Sequence, residues 1–203
     1  MTKATTAPPA PLDPGTFLRE RVAPQAKRRI DELRAQMGRL EREIADRVAA
    51  EATVELALEG SGGGRWYLNL RQGEIHVEDR PAGPPVVRIE QRRDDWEALA
   101  REQVGTTTGA SSAADLTRTR IERLRKLSGA IAFRLSGDER EHAIVVRFGG
   151  DSGDPRCTIS LRAADAARLQ AGELSPQVAF MQGLVKLEGD MAFAMQVGAT
   201  LFA

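Results

Sequence analysis

From Met191 to Ala203 the chain runs for thirteen residues without a charge, and the eighteen residues Val178–Met195 that lead into this run are rich in Phe and Met. A helix that crosses a bilayer needs about 20 apolar residues, so this run is too short to span one. It is apolar surface that must either be buried in a core or closed around an apolar guest. Met favours the second use as readily as the first, because its unbranched, polarizable side chain fills irregular space. Within this segment, Gly183 and Gly189-Asp190 punctuate two short runs in which apolar residues alternate with polar or small ones.

The order of residues here is also specific. Gly172-Glu173-Leu174-Ser175-Pro176, Ala179-Phe180-Met181-Gln182-Gly183 and Lys186-Leu187-Glu188-Gly189-Asp190-Met191 resemble the C-terminal half of the sterol carrier protein type-2 domain family. The likeness is dense over roughly residues 131–202 and weak before them. It implies a one-sheet α+β fold with a hydrophobic tunnel for a fatty acyl, sterol or isoprenoid ligand, and no catalytic machinery. On that resemblance the residues expected to line the tunnel are Phe180, Met181, Leu184, Leu187, Met191, Phe193, Met195, Leu201 and Phe202. Without it, apolar residues at such spacing read as plain core.

Composition excludes several other classes. Lys plus Arg and Asp plus Glu number 29 each, so net charge gives no pull toward nucleic acid. The one cysteine, Cys157, rules out an internal disulfide and suits a reducing compartment. The N-terminus is rich in Thr, Ala and Pro and has no apolar signal run, so the expected location is cytoplasmic.

Along the chain, residues 1–15 carry Pro8, Pro9, Pro11 and Pro14 and read as a disordered tail. Residues 16–105 read as a long helix followed by a half-domain, 106–114 as a Thr/Gly/Ser/Ala linker, and 115–203 as the domain that carries the resemblance. In the helix, expected over about 17–50, Ile30, Leu33, Met37, Leu40, Ile44 and Val48 form one stripe. That stripe has two open uses, covering the first strands or forming a seam with a second copy. Strands are expected at 53–59, 65–71, 74–79 and 86–90, with Gln72-Gly73 as a hairpin turn. A short helix over 94–102 would be capped by Asp94 or Asp95.

After the linker the order starts again. Residues 29–34 are echoed by 120–125, Leu56–Gly60 by Phe133–Gly137, and Trp66–Leu70 by Ala143–Phe148; Val87, Ile89, Asp95 and Leu99 line up with Cys157, Ile159, Asp165 and Leu169. The fold expected is therefore α+β, an antiparallel-rich sheet with helices on one face and a degenerate internal duplication. The second copy should hold strands at 130–136, 142–148, 156–161 and 184–188. Helices are expected at 163–171 and 176–181, and a short strand or turn at Met191–Phe193.

The catalytic and metal motifs are weak. Gly60-Ser61-Gly62-Gly63-Gly64 lacks the Lys-Ser/Thr ending of a phosphate loop and reads as a hairpin connection. Gly150-Asp151-Ser152-Gly153 looks like a serine-protease nucleophile motif, but only His76 and His142 could serve as base, and a triad also needs an Asp to orient it. Two histidines and one cysteine make no usual zinc set. No cofactor and no metal are expected. The basic run Arg118–Lys126 has five cations against Glu122 and offers a docking patch for a membrane or an acidic partner protein. The function expected is non-catalytic binding or transfer of a lipid-like molecule. The alternative is a structural, oligomerising or enzyme-accessory module that has lost its ligand.

Overall fold

The architecture comes from a computed structural model, which describes Glu20 and residues 23–101, 116–137 and 140–201. The expected tail at 1–15 and linker at 106–114 lie outside the described residues. Two compact units are distinguished, residues 1–44 and residues 45–203. Helix α1 spans Ala23–Val48. Pro24 sits in its first turn, where a missing N–H costs nothing, and ion pairs at i,i+3 such as Arg29–Glu32, 3.5 Å apart, decorate its surface. The stripe Ile30–Val48 is exposed along its whole length.

The second unit is built on one sheet. Its strands are β1 (Ala52–Glu59), β2 (Gly64–Arg71), β3 (Glu74–Glu78), β4 (Pro85–Arg92), β5 (Gly129–Ser136), β6 (Glu141–Phe148), β7 (Cys157–Arg162) and β8 (Val185–Gly189). They lie in the order β3-β2-β1-β4-β6-β5-β7-β8. All neighbours are antiparallel except β1 with β4 and β5 with β7. The β2–β3 hairpin turns at Gln72 and Gly73, with φ of 54° and 78°. Two successive positive φ values are what a tight hairpin requires to match strand twist.

Period-two alternation divides the sheet into two unlike faces. One carries Val54 and Leu56 of β1, Val87 and Ile89 of β4, Ile131 and Leu135 of β5, and Ile144 and Phe148 of β6, all buried. The other is polar and laced by ion pairs. Glu55 lies 2.8 Å from Arg88 and 3.4 Å from Arg65, and Glu90 lies 2.7 Å from Arg147.

Helices α2 (Arg93–Arg101), α3 (Arg118–Leu124), α4 (Ala163–Gln170), α5 (Pro176–Met181) and α6 (Met191–Leu201) complete the unit. The apolar face is covered by them, with Leu99 of α2, Ile121 and Leu124 of α3, and Phe193 and Val197 of α6 buried. Thr117 caps α3 by accepting from the Arg120 N–H at 3.2 Å.

Three local expectations are corrected. Met191–Phe193 is neither strand nor turn but the first turn of α6, because a run of unbranched Met and Ala favours helix. Helix α2 begins at Arg93, so Asp94 and Asp95 lie inside its first turn rather than at the cap. The echo of 29–34 in 120–125 also fails as a positional match. Helix α3 ends just before β5, whereas residues 29–34 stand several turns before the end of α1.

The two strand sets are paired alike. Leu56 of β1 partners Trp66 of β2 and Ile89 of β4. Phe133 of β5 likewise partners Ile144 of β6 and Ile159 of β7. The two sets join edge to edge through β4 and β6, from Val87 opposite Phe148 to Gln91 opposite Ile144.

Candidate ligand-binding site

Beyond β7 the chain makes a series of short, sharply ended elements. Helix α4 stops at Ala171-Gly172, where Gly172 has φ of 72°, a left-handed step that suits glycine. Ser175 opens α5 by accepting from the Val178 N–H at 3.3 Å, and Pro176 takes the first helical position. Within α5 the motif splits its two residues. Ala179 is fully buried, while Phe180 beside it is 54% exposed and Met181 is 85% exposed.

The Gly189-Asp190 motif is architectural. Gly189 has φ of 94°, and a Cβ there would stand 2.5 Å from the Arg156 carbonyl oxygen, closer than any side chain tolerates. Asp190 then accepts from the Phe193 N–H at 2.9 Å, capping α6, and from Arg156 Nη2 at 2.5 Å. Those hydrogen bonds, that of the Phe193 amide first and that of the Arg156 side chain next, hold the Asp190 carboxyl below its ordinary range. The Arg156 guanidinium also lies over the Phe193 ring, 4.5 Å from its centroid.

Of the residues expected to line a tunnel, Phe193 is buried against the sheet, Leu184 and Leu187 are half-buried, and Phe180, Met181, Met191 and Met195 are exposed. Leu201 ends α6. Its side chain, and Phe202 entirely, lie outside the described residues. What sequence reasoning missed is Phe133 and Ile159, the sheet neighbours of the expected Leu187. Phe133 of β5, Ile159 of β7 and Leu187 of β8 stand side by side in register, on the face that the helices cover. All three are half-buried. In the rows on either side, Ile131 with Cys157 and Leu135 with Leu161 are buried, while Val185, which continues the second of these onto β8, is half-buried. Apolar side chains are thus left partly open at Phe133 and Ile159 and along β8. Alternation alone marked Phe133 and Ile159 as inward-facing, and nothing in the sequence said that their row would be under-covered. Burial pushes the neighbouring Cys157 thiol up from its ordinary range.

A second polar feature was also not foreseen. His142 Nδ1 lies 3.1 Å from Asp95 Oδ1, and both side chains are buried; Arg140 Nη2 reaches the same oxygen at 3.2 Å. The inward period of β6 (His142, Ile144, Val146, Phe148) was the available signal. This His–Asp pair does not meet Ser152. His142 is the second residue of β6 and Ser152 follows the strand's end at Phe148, so an extended run of six steps separates them by about 20 Å. Among the described residues no helix is long and apolar enough to cross a membrane.

The second unit is thus an α+β arrangement of one sheet with helices on its apolar face and, toward β8, apolar side chains on that face that are only half-buried. Residues 111–202 match the model of the SCP-2 sterol transfer family. Sterol carrier protein 2 of Bos taurus is 32% identical over 84 residues, covering 36% of this chain and 16% of that protein. The Rattus norvegicus protein is 33% identical over 86 residues, covering 37% and 16%. The match therefore takes in only about a sixth of these relatives' length. Among solved structures, sterol carrier protein 2 like 2 of Aedes aegypti has a TM-score of 0.36 at 17% identity, covering 53% of this chain and 96% of its own. Sterol carrier protein domain 2 of Helicoverpa armigera has a TM-score of 0.38 at 23% identity, covering 54% and 89%.

Proposed function

We propose that the C-terminal part of the chain binds one lipid-like molecule (a fatty acyl chain, a sterol or an isoprenoid) without transforming it. The observation that carries this reading is the half-buried apolar row Phe133–Ile159–Leu187 on the helix-covered face. The floor of the site would be that row. Its rim would be the exposed Phe180, Met181, Met191 and Met195, side chains that reshape around an irregular guest. Helix α4 packs on β5 and β7 and brings Ala163, Ala166, Ala167 and Leu169 to the core, three of the four being small. Each methylene moved out of water contributes ~0.8 kcal/mol, so an acyl chain could be held with no ion pair. The match of residues 111–202 to the SCP-2 sterol transfer family model supports the same reading.

The first half, with its strands in matching register, reads as a degenerate copy that lacks the α5–β8–α6 closure. It would serve as an accessory platform. The exposed stripe of α1 favours a second reading, an accessory or oligomerising module that presents its ligand to an enzyme. Titration with a fluorescent fatty acid tests the binding claim. Saturation near one ligand per chain is expected, and absence of saturable binding for acyl, sterol and quinone probes would remove the carrier reading. The purified protein should show only background esterase, thioesterase and protease turnover.

A further inference from the structure

We propose that α1 pairs with α1 of a second copy in an antiparallel coiled coil, independently of any lipid. Ile30, Leu33, Met37, Leu40, Ile44 and Val48 are each between 44% and 60% exposed. A helix of this length draws most of its stability from packing an apolar face, and Gly38 in its middle lowers its intrinsic propensity further. The spacing fits heptads, with Ile30, Met37 and Ile44 at the first apolar position and Leu33 and Leu40 at the second.

Flanking charges choose the occupant and its direction. On one side of the seam stand Lys27, Arg34 and Glu41; on the other stand Arg29, Gln36 and Glu43. A parallel, in-register pair sets Arg29 of each copy against Arg34 of the other. An antiparallel pair that seats Met37 against Leu40 sets Arg34 of each copy against Glu41 of the other, and Gln36 against Glu43, each twice by symmetry. The helix is thus complementary to itself in one orientation and repulsive in the other. Flanking charges of this kind set partner and direction in coiled coils.

Light scattering over a concentration series, on the full chain, tests this. A dimer is expected. Arg34→Glu should weaken it by about tenfold in Kd, since two attractive contacts become repulsive, and adding Glu41→Arg should restore it. Far-UV circular dichroism and thermal melts of each variant report whether the sheet unit stays folded. Since the altered side chains are exposed, no change in its melting is expected. A monomer at every concentration overturns the proposal. So does a dimer strengthened by Arg34→Glu, which is the signature of the parallel pair, or one indifferent to both substitutions, which would place the interface elsewhere.

Discussion

Phe148 of β6 and Phe193 of α6 meet edge to face, their ring centroids 6.4 Å apart and their planes at 75°. Both are buried, yet Met195, two residues beyond Phe193, is 69% exposed. One helix therefore has a face that fastens it to the sheet and a face that remains available.

That division predicts opposite outcomes for two phenylalanines in the same segment. Phe193→Ala removes a packed aromatic and should cost ~3–5 kcal/mol in denaturant unfolding. Phe180→Ala, at a half-exposed position, should cost about 1 kcal/mol or less, while lowering ligand affinity. Equal penalties would mean that Phe180 also belongs to the solid core.

Met195→Trp adds bulk at the open face of α6. The variant should melt like the parent and lose fluorescent fatty-acid binding. A folded variant with unchanged affinity would move the ligand away from α6.

The buried contact between Asp95 and His142 ties α2 to β6 and so links the two strand sets. Asp95→Ala leaves His142 and Arg140 without their shared acceptor. The expected loss is about 1–3 kcal/mol, the penalty for stranding buried polar groups. In a double-mutant cycle with His142→Ala the losses should be non-additive; simple additivity would show that the contact contributes nothing.

Asp190 supplies an acid-dependent hold on α6. Its folded-state carboxyl titrates below the ordinary value of 3.8, first through the Phe193 amide and next through the Arg156 side chain. A lowered carboxyl stabilises the fold above the unfolded-state value and loses that contribution as pH falls through the folded-state one. Thermal melts should show Asp190→Ala less stable than the parent at neutral pH. The gap should narrow as pH falls below 3.8; a gap independent of pH would assign the effect to something other than ionisation.

Strands were legible wherever alternation was strong, as in β1 and β6, because half-burial on a sheet imposes period two directly on the residues. The Gln72-Gly73 turn was legible because few residue pairs tolerate two positive φ angles. Helix α6 was misread at its start because Met191-Ala192-Phe193 offers no polar residue to mark either period. The β4–β6 junction and the Asp95–His142 contact were not legible at all. Both join residues some fifty positions apart, and nothing local in either strand or helix specifies the other. Of the residues proposed for the site, Phe180, Met181, Leu187, Met191 and Met195 could be named from the family resemblance, whereas Phe133 and Ile159 could not, because their half-burial depends on what the helices fail to cover.

The β4–β6 junction has a consequence for anyone who cuts the chain at the family boundary. Residues 111–202 look like a self-sufficient unit, but β6 would then lose the partner that pairs with it from Ile144 to Phe148. Its backbone donors and acceptors would face water along a segment rich in β-branched residues, the kind of bare margin that recruits other chains and precipitates. In the full chain the first half serves as a selvedge for the second, and the outermost margins fall to β3 and β8, both five residues long. Protection of the β6 margin is thus conferred on the half that carries the family match by the half that carries no motif.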